Sequence, residues 1–236
     1  MRALSRRPEP GTAGRIPVAE NGYRRPVTDH PRATGRPIDK TELRRALVGA
    51  RRARSATDRI AAATRNSQHL AAVLSGAPVV CAFLPLPSEP LSIVLLERLS
   101  TTGTTVLVPV VASDAPLDWC RFPGPTNPGP FGIAEPSGRR LGPGAVTTAT
   151  AILIPALAVD RAGRRLGRGE GHYDRALALL GMTAPLRKTA QPGTPLPELI
   201  AVVFDDEIIA GVPVESHDVA VTAVTTPTGG LEYFRR

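Results

Sequence analysis

A chain of 236 residues, 42% of them hydrophobic, is long enough to bury a core of its own, which excludes a wholly disordered protein. No apolar run approaches the roughly 18 residues that cross a bilayer, the opening MRALSRRPEPGTAGRIP lacks the apolar centre of a secretory signal, and Cys81 and Cys120 are too few for a disulfide framework; a soluble, reduced, cytoplasmic protein is expected. The formal charge of +8 is almost all arginine, Lys40 and Lys188 being the only lysines, and aromatics at 4% offer little for stacking RNA bases.

Residues 1–38 are rich in Pro, Gly and Arg with no sustained apolar period, a composition that buries too little to offset ordering entropy; a flexible tail is expected. A helix then starts at Asp39, where Asp39 and Glu42 have capping-box spacing and Leu43, Ala46, Leu47 and Ala50 recur with helical period. Ser55 and Asp58 restart the pattern, which runs through Ile60, Ala63, Leu70 and Leu74 to a stop at Gly76. Strands are expected at 79–84, 105–111, 118–122, 151–154, 200–204 and 219–224. Helices are expected at 91–100 and 173–180, with loops at 123–129 and 184–198. Strands interleaved with helices predict an α/β fold over 39–236, three layers with a mostly parallel sheet and helices on both faces.

The chemistry concentrates after the strand at 151–154. Gly167, Gly169 and Gly171 alternate with Arg168 and Glu170 and lead through His172 and Tyr173 into a helix whose first turn holds Asp174. Glycines let successive amides turn toward one point, and the helix N-terminus adds partial positive charge, an arrangement suited to phosphate. Arg165 and Arg168 are placed to add charge-assisted bonds. A plain tight turn with solvated arginines satisfies the same pattern, which fits neither the Walker A loop nor the dinucleotide fingerprint. Asp174 either complements the helix dipole or, beside phosphates, holds Mg²⁺ through oxygen. Lys40 and Arg44 share a helical face, with Lys40 in a first turn where the dipole disfavours a cation; a bound anion or simple exposure resolves this equally.

In chain order these segments resemble the 5-formyltetrahydrofolate cyclo-ligase family. The resemblance rests on Lys40-x-x-x-Arg44, on Phe83-Leu-Pro-Leu-Pro-Ser-Glu89, and on Gly132-Ile-Ala-Glu-Pro136. It continues in Arg165-Leu-Gly-Arg-Gly-Glu-Gly-His-Tyr-Asp174, Val212-Pro-Val-Glu-Ser-His-Asp218 and a strand ending at Thr225. It implies ATP- and Mg²⁺-dependent closure of 5-formyltetrahydrofolate to 5,10-methenyltetrahydrofolate, with release of ADP and phosphate. Positioning and charge neutralisation suffice for such a transfer, so the lack of a nucleophile–base pair is no objection.

On this resemblance Lys40, Arg44 and the run Arg165, Leu166, Gly167, Arg168, Gly169, Glu170, Gly171, His172 and Tyr173 bind ATP. Arg168 and Tyr173 make the catalytic contacts, and Tyr173 bridges the two substrates. Glu89 accepts from the pterin N–H groups beside Leu84, and Trp119 supplies an aromatic wall. Asp174 and Asp218 are the metal ligands, with His217 as local support. The expected partners are the two substrates, without nucleic acid or membrane, on a monomer or weak homo-oligomer. Three positions depart from the family pattern: Glu170 brings a carboxylate among phosphates, His172 replaces a frequent aromatic, and Glu207, read as solvated, replaces a frequent Gln. The alternatives are a relative acting on another small amide, or a non-catalytic nucleotide- or RNA-binding protein.

Overall fold

The computed structural model describes residues 39–111, 115–129, 134–181, 196–215 and 218–234. The expected tail, most of the 184–198 loop, Gly132 and Ile133 of the Gly-Ile-x-Glu-Pro segment, and His217 lie outside the described residues.

Helices α1 (Lys40–Ala53) and α2 (Ala56–Leu74) form where the apolar spacing places them. Ser55 caps α2 by accepting from the Asp58 amide at 3.0 Å. The capping box expected at α1 does not form: Asp39 makes no side-chain cap bond, and its carbonyl takes the first helical amide, that of Leu43. Helix α2 stops before Gly76, whose φ of +82° is the left-handed conformation that ends a helix.

Strand β1 (Val79–Cys81) is shorter than expected. The Ala82 amide still reaches Leu107 O, but Pro85 and Pro87 have no N–H to extend the ladder. Ser92 caps α3 (Ile93–Thr101), which crosses to β2 (Thr105–Val110), and β3 (Asp118–Phe122) returns antiparallel. The segment expected as loop at 123–129 holds β4 (Thr126–Pro128), paired with β5 (Ala134–Pro136) in an exposed hairpin. A 3₁₀ turn (Pro143–Thr148) leads into β6 (Ala151–Pro155). The short strands β7 (Ala158–Asp160), β8 (Arg165–Leu166) and β10 (Ile208–Ile209) make a separate three-stranded sheet, and α4 (His172–Ala178) follows the glycine loop. Strand β9 (Glu198–Val202) precedes β10, and β11 (Ala223–Thr226) and β12 (Gly230–Tyr233) close the chain. The expected strand at 219–224 is therefore displaced: the Val221 and Thr222 amides bond to Gly163 O and Leu199 O before the ladder begins at Ala223.

The main sheet has seven strands in the order β12-β11-β9-β6-β1-β2-β3, parallel except at its two ends. Strand alternation sorts its side chains to two faces. Val80, Val106, Val108, Leu153, Ile200 and Val202 pack against Leu70 and Leu74 of α2 and Leu95, Leu96 and Leu99 of α3. On the other face, Cys81, Leu107, Ile152, Ile154, Leu199 and Ala201 meet Ala176 and Leu177 of α4 and Val146 of the 3₁₀ turn. The predicted three-layer α/β architecture is the one observed. Burial pushes the Cys81 thiol up to about 12, so it is an inert core group. Among the described residues, no helix is long and apolar enough to cross a membrane.

Two polar contacts lock the layers. Asn66, fully buried on α2, donates to Pro90 O at 2.9 Å and Val203 O at 3.2 Å and accepts from the Thr225 hydroxyl. Glu207, expected on a solvated face, is only 2% exposed. It accepts from Arg51 Nε and Nη2, both at 2.7 Å, and from the Phe204 amide at 2.8 Å, while Arg51 Nη2 also donates to Ala156 O. The correction has a simple cause: Arg51 lies two turns beyond Leu43 on the buried stripe of α1 and carries its charge inward to meet this carboxylate. Burial pushes the Glu207 carboxyl above its ordinary value while Arg51 pulls it back. Replacing Glu207 with Ala leaves a buried guanidinium unpaired, and should cost about 3–5 kcal/mol in equilibrium urea unfolding. A loss below about 1 kcal/mol would show that water or a neighbour takes the carboxylate's place.

Candidate active site

The site is assembled by α1 lying across the small sheet. Leu43 and Leu47 bury against Leu157, Ala158, Leu166, Ile209 and Val212, which brings Lys40 and Arg44 over the glycine loop. Asp160 at the end of β7, fully buried, holds the frame beneath. Its carboxylate accepts from the amides of Ala162, Arg164 and Val212 and from Arg164 Nε at 2.5 Å. The hairpin into β8 and the segment after β10 are thereby fixed together.

The loop from Gly167 to Gly171 is closed at its neck. Arg165, buried on β8, donates through Nη2 to Asp174 Oδ1 at 2.5 Å and through Nη1 to Val219 O. Asp174 Oδ1 also receives the Val219 amide at 3.4 Å. Arg165, expected on phosphate, is therefore engaged within the protein by Asp174 and the Val219 carbonyl. Above the loop, Arg44 Nε donates to Gly167 O at 3.0 Å. Gly169 has φ of +108°, a conformation that favours glycine, and a Cβ there would stand 3.3 Å from Arg44 Cζ, so the guanidinium would have to shift by a few tenths of an ångström.

Arg168 turns the other way. Its Nη2 lies 3.4 Å from Glu89 Oε1, while Glu89 Oε2 accepts the Leu86 amide at 3.0 Å. The Glu89 side chain is 6% exposed and that of Arg168 46%, so a buried carboxylate faces a half-free guanidinium. Leu84 sits half-buried at the start of the same loop. Tyr173 packs between both core clusters, with its hydroxyl buried and without a hydrogen-bond partner among the described residues. Burial, with Cys81 and Glu89 nearby, pushes that phenol well above its usual value, so it is a neutral hydroxyl in want of an acceptor.

Lys40 donates to Glu215 Oε1 at 2.8 Å and Asp218 Oδ2 at 3.0 Å. Asp218 Oδ2 also accepts the Glu215 amide at 2.8 Å, so a tight turn presents both carboxylates to one ammonium. The hydrogen bonds from Lys40 outweigh its partial burial and raise its pKa. Glu215 received no role from the sequence, although its place in Val212-Pro-Val-Glu215 was visible. Glu170 points outward, its side chain 72% exposed, and meets His172 Nε2 at 3.2 Å. Arg175 Nη2 lies 2.7 Å from His172 Nδ1. Because Arg175 can only donate, Nδ1 must accept, and the neutral ring's proton sits on Nε2 toward Glu170. The departures at 170 and 172 thus answer each other.

One expected residue stands apart. Trp119 is fully buried in the core beside Leu117 and Val146, not exposed as a pocket wall, because the alternation of β3 turns it inward opposite Pro109. No group of three or more His, Cys, Asp or Glu side chains poised for a metal occurs among the described residues. Beside Glu215, which shares Lys40 with Asp218, the expected oxygen donors are the carboxylates of Asp174 and Asp218. They are linked through Val219, which follows Asp218 and donates to Asp174, and Asp174 Oδ2 takes no hydrogen bond from a described residue.

The model of the 5-formyltetrahydrofolate cyclo-ligase family matches residues 37–227. A Mycolicibacterium smegmatis protein named 5-formyltetrahydrofolate cyclo-ligase is 40% identical over 205 residues, covering 84% of this chain and 99% of its own length. A mitochondrial 5-formyltetrahydrofolate cyclo-ligase of Arabidopsis thaliana is 37% identical over 80 residues, 33% of this chain and 27% of its own. The solved 5,10-methenyltetrahydrofolate synthetase of Aquifex aeolicus superposes with a TM-score of 0.62 at 23% identity, covering 84% of this chain and 93% of that one. That of Mycoplasma pneumoniae gives 0.59 at 19%, covering 79% and 98%; these two likenesses establish the shared fold. The chain belongs to the 5-formyltetrahydrofolate cyclo-ligase family.

Since the Tyr173 hydroxyl has no partner among the described residues, Tyr173→Phe removes a desolvated group and no bond. Its thermal unfolding midpoint should stay the same or rise slightly; a clear fall would reveal a hydrogen bond holding the hydroxyl in the free protein.

Proposed function

We propose that the chain catalyses ATP-dependent cyclisation of 5-formyltetrahydrofolate to 5,10-methenyltetrahydrofolate, releasing ADP and phosphate. The observation that carries this reading is the meeting of Arg168 with Glu89: the glycine loop and the loop after β1, the two halves expected to hold the two substrates, touch through a single guanidinium. A formamide oxygen is a poor leaving group. Transfer of the γ-phosphoryl group to it makes phosphate the leaving group, and N10 attacks the activated carbon and expels it.

In this reading the loop amides from Gly167 to Gly171, with the N-terminus of α4, receive the phosphates. Lys40 keeps an N–H beyond the two given to Glu215 and Asp218 and donates it to a phosphate oxygen. Arg44, braced on Gly167 O, adds charge above the loop. Arg168 donates to oxygens that become more negative during transfer. Glu89, held by the Leu86 amide, accepts from the pterin N–H groups beside Leu84, and Tyr173 donates its unpaired hydroxyl between the substrates. Arg165 has a positioning role, fixing Asp174 and the 218–219 segment.

The carboxylates of Asp174 and Asp218 fit Mg²⁺, which takes one or two carboxylates together with phosphate oxygens and water. When bound, the ion neutralises phosphate charge. The basic surface needs no nucleic acid in this account. The protein works in the cytoplasm as a monomer or weak homo-oligomer, with residues 39–236 as the catalytic unit.

Purified protein mixed with 5-formyltetrahydrofolate, Mg²⁺ and ATP should develop the near-ultraviolet absorbance of the methenyl product, and none when ATP is left out. Growth of that band without ATP, or no band under any condition, would overturn the assignment. Asp174→Asn should lower Mg²⁺-dependent turnover at least a hundredfold and, because it also strips buried Arg165 of its carboxylate, lower the thermal unfolding midpoint. Turnover within about threefold of the parent would remove Asp174 from the metal site.

A further inference from the structure

The contact between Arg168 and Glu89 has chemistry of its own. Glu89 is a nearly buried carboxylate, and its described polar partners are the Leu86 amide on one oxygen and Arg168 on the other. Arg168 is half exposed and reaches across from the glycine loop. A guanidinium presents parallel N–H donors from a planar unit. The pyrimidine end of a pterin presents a similar edge, an N–H beside an amino group on one carbon. Arg168 therefore lies against Glu89 where the substrate's own donor edge belongs in the reading above.

From this we propose that Arg168 is an internal stand-in for the pterin, and that the two substrates bind cooperatively by exchanging it. In the free protein Arg168 neutralises Glu89. When the pterin takes that carboxylate, the guanidinium is displaced toward the phosphates, where it has the role of a charge-assisted donor. When ATP arrives first, its phosphates draw Arg168 away and expose Glu89 to the pterin. Either substrate alone binds against the ion pair, and the second binds a site from which the pair is already gone. Linkage requires the enhancement to be equal in both directions.

This inference rests on the proposed reaction, and the test separates the two. Titration calorimetry with the full chain would measure 5-formyltetrahydrofolate alone and in the presence of Mg²⁺ and a non-hydrolysable ATP analogue, then the reverse order. The exchange predicts that each ligand tightens the other by the same factor, about fivefold or more. It further predicts that Arg168→Ala binds 5-formyltetrahydrofolate tighter than the parent when no nucleotide is present, because the competitor for Glu89 is gone. In that variant the enhancement by the ATP analogue disappears. A simple substrate contact by Arg168 predicts the opposite, weaker folate binding.

Glu89→Gln provides the second arm. Arg168 is released from its charged partner, so the ATP analogue should bind tighter in the absence of folate. Independent binding of the two ligands to the parent, or weaker folate binding by Arg168→Ala, would overturn the exchange and leave the cyclo-ligase reading intact. No binding of 5-formyltetrahydrofolate to the parent, with or without the analogue, would overturn both.

Discussion

The salt bridge between Arg165 and Asp174 closes the glycine loop across its neck, and the geometry of the site follows from it. One partner opens a two-residue strand and the other lies in the first turn of a helix, so a bond of 2.5 Å fixes where the intervening loop enters and leaves. The same guanidinium holds Val219 O, and the same carboxylate takes the Val219 amide. A segment distant in sequence, bearing Asp218, is thus drawn to the loop. A buried guanidinium stripped of its carboxylate is costly, so the pair and the three-way junction stand or fall together.

Around that clasp, apart from Arg44 on the Gly167 carbonyl, the charged groups of the site are already paired with one another. Lys40 holds Glu215 and Asp218, Arg168 holds Glu89, and Glu170 is met by His172 under Arg175. A half-buried cation left alone would be penalised by desolvation, and a row of them by mutual repulsion. Intramolecular carboxylates keep the site neutral enough to be stable before any ligand arrives. On the proposed function, binding at Arg168 is an exchange of partners, in which ligand groups take the places that Arg168 and Glu89 hold for each other. Glu170, which seemed to oppose phosphate, belongs to this scheme: its carboxylate faces outward to a ring that offers it an N–H.

Rigidity comes from polar groups beneath the site. Asp160 fastens the β7–β8 hairpin to the segment after β10, and Arg51 with Glu207 ties α1 to the turn after β9. Arg51, like Arg54, also lies over the Phe204 ring, at 5.6 and 4.1 Å from its centre. Helix α1, which carries Lys40 and Arg44, is therefore held by a small apolar seam and a buried ion pair, both outside the main sheet.

The sequence alone determined the periodic elements and the ordered motifs. The paired helices before Gly76, the central strands and the glycine loop entering α4 were legible because each is a local pattern of period, cap or backbone freedom. The three-layer α/β architecture followed from their alternation, and family membership from motifs in order. Strands β7, β8, β10 and β12 were not legible, since two to four residues are too short to show a period and exist only through their neighbours' ladders. Tertiary structure alone decided which polar side chains go inward. Glu207 looked solvated until Arg51 met it, Asn66 was one more residue in a helix until three elements converged on it, and Trp119 became core through its strand's register. It also decided that Arg165 would be turned to Asp174, and Arg168 to Glu89, because such pairings join residues far apart in the chain whose distances no local pattern encodes.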